Sequence, residues 1–142
     1  MMHTVYLVDD DEAIRDSLSW LLQSRSLQCQ TYSSAERFLA AWTLEFCGCL
    51  MLYIRMREMS GLELFDRLLE RGNRLPVIFL TGHGDVPMAV GALKKGAFDF
   101  VEKPFDDNQL VNRVLEAVEL DNSRRATAAS SDSLNERHNR LT

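Results

Sequence analysis

Acidic residues crowd one short segment, where an apolar run ends in "VDDDE" and the four acidic positions are Asp9 to Glu12. Carboxylates this close repel one another, and a hard divalent cation such as Mg²⁺ relieves the repulsion by binding one or two of them. Asp9 and Asp10 directly follow the apolar run and are the better candidate ligands. Asp11 and Glu12 are equally well explained as a helix start, because acidic side chains are favoured at a helix N-terminus.

Two further polar side chains follow apolar runs later in the chain, Thr81 in "LTGHGD" and Lys103 in "VEKPF". A hydroxyl and a fixed positive charge that face a cation-binding acidic cluster are the groups that phosphoryl transfer to a carboxylate requires. Lys103 could also be an ordinary surface lysine. The occurrence of all three segments at the ends of apolar runs favours the chemical interpretation.

Short apolar runs alternate with segments of helical periodicity. The runs that predict strands are Val5–Val8, Leu27–Tyr32, Cys49–Ile54, Val77–Leu80 and Phe98–Val101. Successive parallel strands need crossover connections, so this alternation predicts a parallel sheet with helices on both faces. Ligands of such sheets bind beyond the carboxyl ends of the strands, where Asp9, Thr81 and Lys103 should meet.

Apolar spacing predicts which face of each helix is buried. The predicted faces are Ile14, Leu18, Leu21 and Leu22; Leu62, Phe65, Leu68 and Leu69; Ala89, Val90 and Leu93; and Leu110, Val114 and Val118. A further helix is predicted in "YSSAERFLAAW", with Ser33 or Ser34 as its N-cap.

The 142 residues and 46% hydrophobic content suit one compact domain, and a net charge of −5 gives no overall basic field for nucleic acid. Three cysteines without a disulfide pattern fit a reducing cytoplasm, and no apolar run approaches the ~20 residues that span a membrane. From Asn122 the chain lacks aromatic residues, which predicts a linker or a frayed helix extension. Arg124 and Arg125 are expected to be solvated there.

Three segments, "VYLVDDDEAIRDSL", "IRMREMSGLEL" and "PVIFLTGHGDVPMAVGALKKGAFDFVEKPF", together resemble the receiver domain of two-component response regulators. The resemblance covers about Thr4 to Asp121 and is closest to the FixJ-like branch of LuxR-type transcriptional regulators. It implies an α/β, flavodoxin-like (βα)5 fold, a doubly wound parallel sheet with strand order 2-1-3-4-5, and a signalling protein rather than an enzyme.

The resemblance also implies roles for individual positions. Asp9 and Asp10 correspond to the acidic pair that binds Mg²⁺, with the backbone carbonyl of Arg55 as a further ligand. Thr81 corresponds to the switch hydroxyl and Phe100 to the rotating aromatic residue. Lys103 corresponds to the lysine of the family's site, and its bond to the following proline is expected to be cis.

This chain departs from the family where receivers accept phosphate from a histidine kinase on an aspartate at the end of the third strand. Tyr53 stands there, and a phenol with a pKa near ~10 can neither form an acyl phosphate nor serve well as a Mg²⁺ ligand. We therefore expect weak Mg²⁺ binding and a receiver silent to ordinary phosphorylation. The Tyr53 hydroxyl should reach Lys103, Asp10 or water. Arg57 stands where proline is usual, which restores a backbone donor.

Three alternatives stay open. Tyr53 could be a tolerated aromatic cap, or an engineered substitution in a receiver that otherwise responds to phosphorylation. The chain could also be a Mg²⁺-dependent phosphohydrolase of the haloacid-dehalogenase type, with Asp9 as nucleophile, although the further acidic motif and cap domain of that class are not apparent.

The resemblance implies partners as well. These are a sensor histidine kinase, a second copy bound through the face of the fourth helix and fifth strand, and DNA. The segment "LNERHNRLT" resembles the lead-in to a helix-turn-helix domain, so we expect residues 1–121 to be the receiver and 122–142 a linker toward a missing DNA-binding domain. No membrane contact is expected.

Overall fold

A computed structural model describes the backbone of residues 3–141 and the side chains of residues 3–82 and 84–126. Five strands form one parallel sheet in the order β2-β1-β3-β4-β5. The strands are β1 (Thr4–Val8), β2 (Gln28–Tyr32), β3 (Gly48–Tyr53), β4 (Val77–Thr81) and β5 (Asp99–Glu102). The predicted flavodoxin-like strand order is therefore confirmed.

One helix follows each strand. The helices are α1 (Glu12–Ser24), α2 (Ala35–Ala41), α3 (Gly61–Glu70), α4 (Val86–Lys94) and α5 (Asp107–Leu141), and a short 3-10 turn, His83–Asp85, precedes α4. Ser34 is the N-cap of α2 and accepts from the Arg37 amide, as one of the two predicted caps. Asp11 caps α1 in the same way.

The sheet separates two apolar cores, because alternate side chains of a strand point to opposite faces. Leu50 and Leu52 of β3 lie on the face covered by α2, α3 and α4. Cys49 and Met51 lie on the face covered by α1 and α5. Both faces of β3 and β4 are buried, which explains why their sequences are continuous apolar runs.

The predicted helix faces are confirmed except at two positions. Leu69 in α3 is 42% exposed and Val90 in α4 is 40% exposed, whereas Leu64 and Ala92 are buried. Side chains four residues apart share a helix face, so Leu64 and Leu68 align toward the sheet and Leu69 turns outward. The apolar spacing alone did not distinguish the two faces.

The third strand has the predicted length but begins and ends one residue earlier than predicted, at Gly48 and Tyr53. Ile54 lies beyond β3, where its amide donates to the Leu80 carbonyl and its carbonyl accepts from the Gly61 amide. A Cβ at Gly61 would collide with the carbonyl oxygen of Tyr53. Glycine therefore allows α3 to begin directly against the end of β3.

The last helix continues into the segment that was predicted as a linker or a frayed extension. Arg124 is exposed as expected, but the prediction for Arg125 was wrong, because its Nε lies 2.9 Å from Asp121 Oδ2. The interpretation of "LNERHNRLT" concerns side chains outside the described set. Within residues 3–141, no helix is both long enough and apolar enough to cross a membrane.

Candidate functional site

Four strand ends bring polar side chains together at one edge of the sheet. Asp9 follows β1, Tyr53 and Thr81 end β3 and β4, and Lys103 follows β5. Lys103 Nζ lies 4.0 Å from Asp9 Oδ2 and 3.8 Å from the centroid of the Tyr53 ring. The structure thus brings Asp9 and Lys103 together, as the alternation of strands and helices predicted, with Tyr53 beside them.

Asp9 is a fully buried carboxylate. Its Oδ1 accepts from the Asp11 amide at 3.0 Å, whereas its Oδ2 is buried without a hydrogen-bond partner among the described residues. Burial raises the pKa of Asp9, and the Asp11 amide and the Lys103 ammonium partly oppose that rise. One carboxylate oxygen is therefore unsatisfied and close to the ammonium.

The neighbouring acidic residues have different environments. Asp10 is exposed, and its Oδ2 accepts from the Arg57 amide at 3.3 Å. Asp11 Oδ1 accepts from the Ala13 amide at 3.0 Å, which accounts for Asp11 as a helix cap. The amide that residue 57 gains by not being proline thus links the loop after β3 to the loop after β1.

Tyr53 presents the face of its ring to Lys103. An ammonium over an aromatic face is attracted by the ring quadrupole. The hydroxyl was expected to reach Lys103, Asp10 or water. Among the described residues it is hydrogen-bonded to neither Lys103 nor Asp10, and Lys103 instead contacts the ring face. Burial and then Asp9, Asp85 and Asp10 raise the pKa of Tyr53, so the phenol is neutral at pH 7.

The side chain of Arg55, in the loop after β3, forms an ion pair with Asp85. Its Nε lies 2.8 Å from both carboxylate oxygens of Asp85, and the Asp85 side chain is only 5% exposed. This ion pair joins the loop after β3 to the loop after β4. Sequence reasoning missed it, although Arg55 and Asp85 both follow neighbouring strands of the predicted sheet.

The two predicted switch residues, Thr81 and Phe100, lie on β4 and β5, the strands that lead to the site. Thr81 is fully buried, and its hydroxyl donates to the Gly82 carbonyl at 3.0 Å. Phe100 is half-buried and packs against the core on the α4 face. The Lys103 amide donates to the Thr81 carbonyl at 2.9 Å, and the Lys103–Pro104 bond is cis as expected.

The donor set offers a cation two carboxylates. Asp9 has an unsatisfied buried oxygen, and Asp10 is exposed beside it. Among the residues whose side chains are described, no group of three or more His, Cys, Asp or Glu side chains could hold a metal ion. Asp9 and Asp10 are the two carboxylates at this edge of the sheet that could bind Mg²⁺, with carbonyls and water as its further ligands.

Comparison with known proteins agrees with this geometry. Residues 5–115 match the family described as the response regulator receiver domain. The C4-dicarboxylate transport transcriptional regulatory protein DctR of Rhodobacter capsulatus is 49% identical over 136 residues, covering 94% of this chain and 69% of that protein. The transcriptional regulatory protein FixJ of Azorhizobium caulinodans is 48% identical over 110 residues, covering 78% of this chain and 52% of that protein.

Solved structures show the same fold. The response regulator StyR superposes with a TM-score of 0.90 at 37% identity, over 100% of this chain and 72% of that one. Full-length FixJ from B. japonicum superposes with a TM-score of 0.82 at 36% identity, over 95% of this chain and 66% of that one. The chain spans 69% of DctR and 52% of FixJ. It belongs to the family of response regulator receiver domains.

Proposed function

We propose that this chain is the receiver domain of a FixJ-like, LuxR-type transcriptional regulator in which Tyr53 occupies the phosphoacceptor position. The observation that carries the proposal is the contact between the Lys103 ammonium and the Tyr53 ring, 3.8 Å from its centroid. Tyr53 ends β3 at the site edge of the sheet, where its phenol offers no carboxylate to a phosphoryl donor. The phenol is neutral at pH 7, so it offers no phenolate either. The domain would then be silent to ordinary phosphorylation.

The contacts between loops support a site that is held together without a phosphoryl group. Arg57 links to Asp10, Arg55 links to Asp85, and Lys103 lies against both Asp9 and Tyr53. These contacts join the loops after β1, β3, β4 and β5. Thr81 and Phe100 are the proposed switch residues, and a second copy or a ligand could bias such a switch in place of phosphate.

Mg²⁺ would be held by Asp9 and Asp10 with the backbone carbonyl of Arg55. When bound, the cation would neutralise carboxylate charge and bind oxygens of an anionic group. Binding should be weak, since Tyr53 supplies no third anion and the Lys103 ammonium already lies 4.0 Å from Asp9 Oδ2.

The remaining proposals concern the whole regulator. Names of the relatives DctR and FixJ describe transcriptional regulatory proteins, which supports DNA binding through a C-terminal domain that follows the receiver. We assign residues 1–121 to the receiver and 122–142 to the linker. A sensor histidine kinase, a second copy bound through α4 and β5, and a cytoplasmic location without membrane contact complete the proposal, and no enzymatic activity is assigned.

Intact-mass spectrometry after incubation with Mg²⁺ and acetyl phosphate tests the silent site. The experiment compares the chain with its Tyr53→Asp variant, because a carboxylate at position 53 would lie beside Lys103 and complete the acidic set. We expect a one-phosphoryl mass increase in the variant and none in the parent chain.

Two outcomes would contradict the proposal. A stoichiometric phosphoryl adduct on the parent chain would show that Tyr53 does not silence the domain. An inert Tyr53→Asp variant would show that residues other than Tyr53 disable the site. The haloacid-dehalogenase alternative predicts turnover of an aryl phosphate that Asp9→Asn abolishes.

A further inference from the structure

A second buried carboxylate lies far from the candidate site. Asp121, in the middle of α5, is 1% exposed. Its Oδ2 accepts from the Gly48 amide at 2.9 Å and from Arg125 Nε at 2.9 Å. Gly48 begins β3 at the edge of the sheet opposite Tyr53, so this carboxylate has no part in the chemistry proposed above.

Arg125 completes the contact. Its side chain is 17% exposed, and a second guanidinium nitrogen donates to the carbonyl of Phe46. The planar fork of arginine allows one side chain to bind a carboxylate and a carbonyl at once. Asp121 thus accepts from the Gly48 amide and Arg125 donates to the Phe46 carbonyl, so the two side chains bind backbone groups on either side of Cys47. We call Asp121, Arg125, Phe46 and Gly48 the α5 clamp.

The strand end that receives the clamp has little freedom to move. Gly48 has a φ of 126°, a backbone conformation that favours glycine, and a Cβ there would collide with the carbonyl oxygen of Thr4. The Thr4 amide donates to the Cys47 carbonyl at 3.0 Å. The clamp is therefore attached to a point that the pairing of β1 with β3 already fixes.

We propose that the α5 clamp makes the start of the outgoing segment a rigid part of the receiver. Arg125 lies four residues beyond the expected domain boundary, yet it is bonded to the segment that leads into β3. Among the described side chains of residues 122–126, Arg125 makes the hydrogen bond that joins this part of α5 to another element. A helical segment that is held only by its own hydrogen bonds opens readily. The clamp thus makes the segment around Arg125 move with the sheet. This inference does not depend on the role of Tyr53.

Hydrogen–deuterium exchange on the full chain tests the clamp. The variants are Arg125→Met, which keeps an unbranched stem but removes the fork, and Arg124→Met, a matched control at an exposed neighbour. In Arg125→Met, amides of residues 46–48 and 121–126 should exchange about tenfold faster or more, because hydrogen bonds to charged groups stabilise local structure by at least that factor. Arg124→Met should exchange as the parent chain does.

A third variant and an internal reference keep the outcome interpretable. Arg125→Lys retains the charge but not the fork, so its exchange in the same two segments should lie between those of the parent chain and Arg125→Met. Amides of β4 report global unfolding. The inference is overturned if Arg125→Met matches Arg124→Met in both segments, or if it accelerates β4 exchange as much as it accelerates residues 46–48.

Discussion

Removing the Lys103 ammonium should lower the stability of the domain, and part of this loss should come from its contact with the Tyr53 ring. The ammonium lies 3.8 Å from the ring centroid and 4.0 Å from Asp9 Oδ2, and the Lys103 side chain is 24% exposed. A partly desolvated cation–π contact contributes about 0.5–2 kcal/mol. Loss of the nearby positive charge also leaves the buried Asp9 carboxylate less compensated. We expect Lys103→Met to lower the free energy of unfolding by about 2 kcal/mol.

A double-mutant cycle separates the ring from the hydroxyl. Lys103→Met is measured by urea unfolding in the parent chain, in Tyr53→Phe and in Tyr53→Leu. The cost should be unchanged in Tyr53→Phe, because the ring face persists. It should be smaller by about 0.5–2 kcal/mol in Tyr53→Leu, since no ring is then present.

Lys95→Met is the matched control. Lys95 Nζ lies 3.3 Å from Asp66 Oδ1, and both side chains are at least half exposed, at 60% and 50%. Exposed ion pairs contribute about 0–1 kcal/mol. The account is refuted if Lys103→Met costs no more than Lys95→Met, or if Tyr53→Phe reduces its cost as far as Tyr53→Leu does.

Three further predictions follow from the packing and charges of the site. Burial raises the Asp9 pKa, so the stability of the domain should fall as pH rises from the ordinary aspartate range through the raised value. Asp9→Asn should therefore raise the urea midpoint at pH 7, and this gain should fade in acid. If the midpoint does not rise at pH 7, the raised pKa of Asp9 is contradicted. Gly61→Ala should lower the free energy of unfolding by about 2–3 kcal/mol, because its Cβ would collide with the Tyr53 carbonyl. Gly91→Ala places its Cβ in free space on α4 and should stabilise the domain by up to ~1 kcal/mol. Equal shifts of the two variants in thermal unfolding would refute this. In urea unfolding, Arg55→Met should cost about 2 kcal/mol because it leaves the buried Asp85 unpaired. Arg57→Met keeps the backbone amide that is bonded to Asp10 and should cost less than ~0.5 kcal/mol. Equal costs would contradict the role of the ion pair between Arg55 and Asp85.

Much of the fold could be predicted because the pattern of the sequence is strong. The apolar runs of β3 and β4 are buried on both faces, so they appear as continuous hydrophobic segments between amphipathic helices. The convergence of Asp9 and Lys103 followed from the rule that parallel strands share one carboxyl edge. The strand order 2-1-3-4-5 came from the family resemblance.

The contacts between side chains could not be read from the sequence. Tyr53 was expected to use its hydroxyl, but sequence does not show from which side Lys103 approaches the ring. Arg125 was expected in solvent because its partners, Asp121 and Phe46, are brought together only by the packing of α5 on β3. Leu69 and Val90 were placed inside because apolar spacing alone did not separate the face toward the sheet from its flank.

The central claim is that Tyr53 makes the switch insensitive to phosphoryl donors, and amide NMR spectra test it most directly. Spectra of the chain and of Tyr53→Asp are recorded with Mg²⁺, before and after addition of acetyl phosphate, and the amides of Thr81, Phe100 and Lys103 are followed. We predict that these amides shift in Tyr53→Asp and stay unchanged in the parent chain. A donor-dependent shift of the same amides in the parent chain would contradict the account.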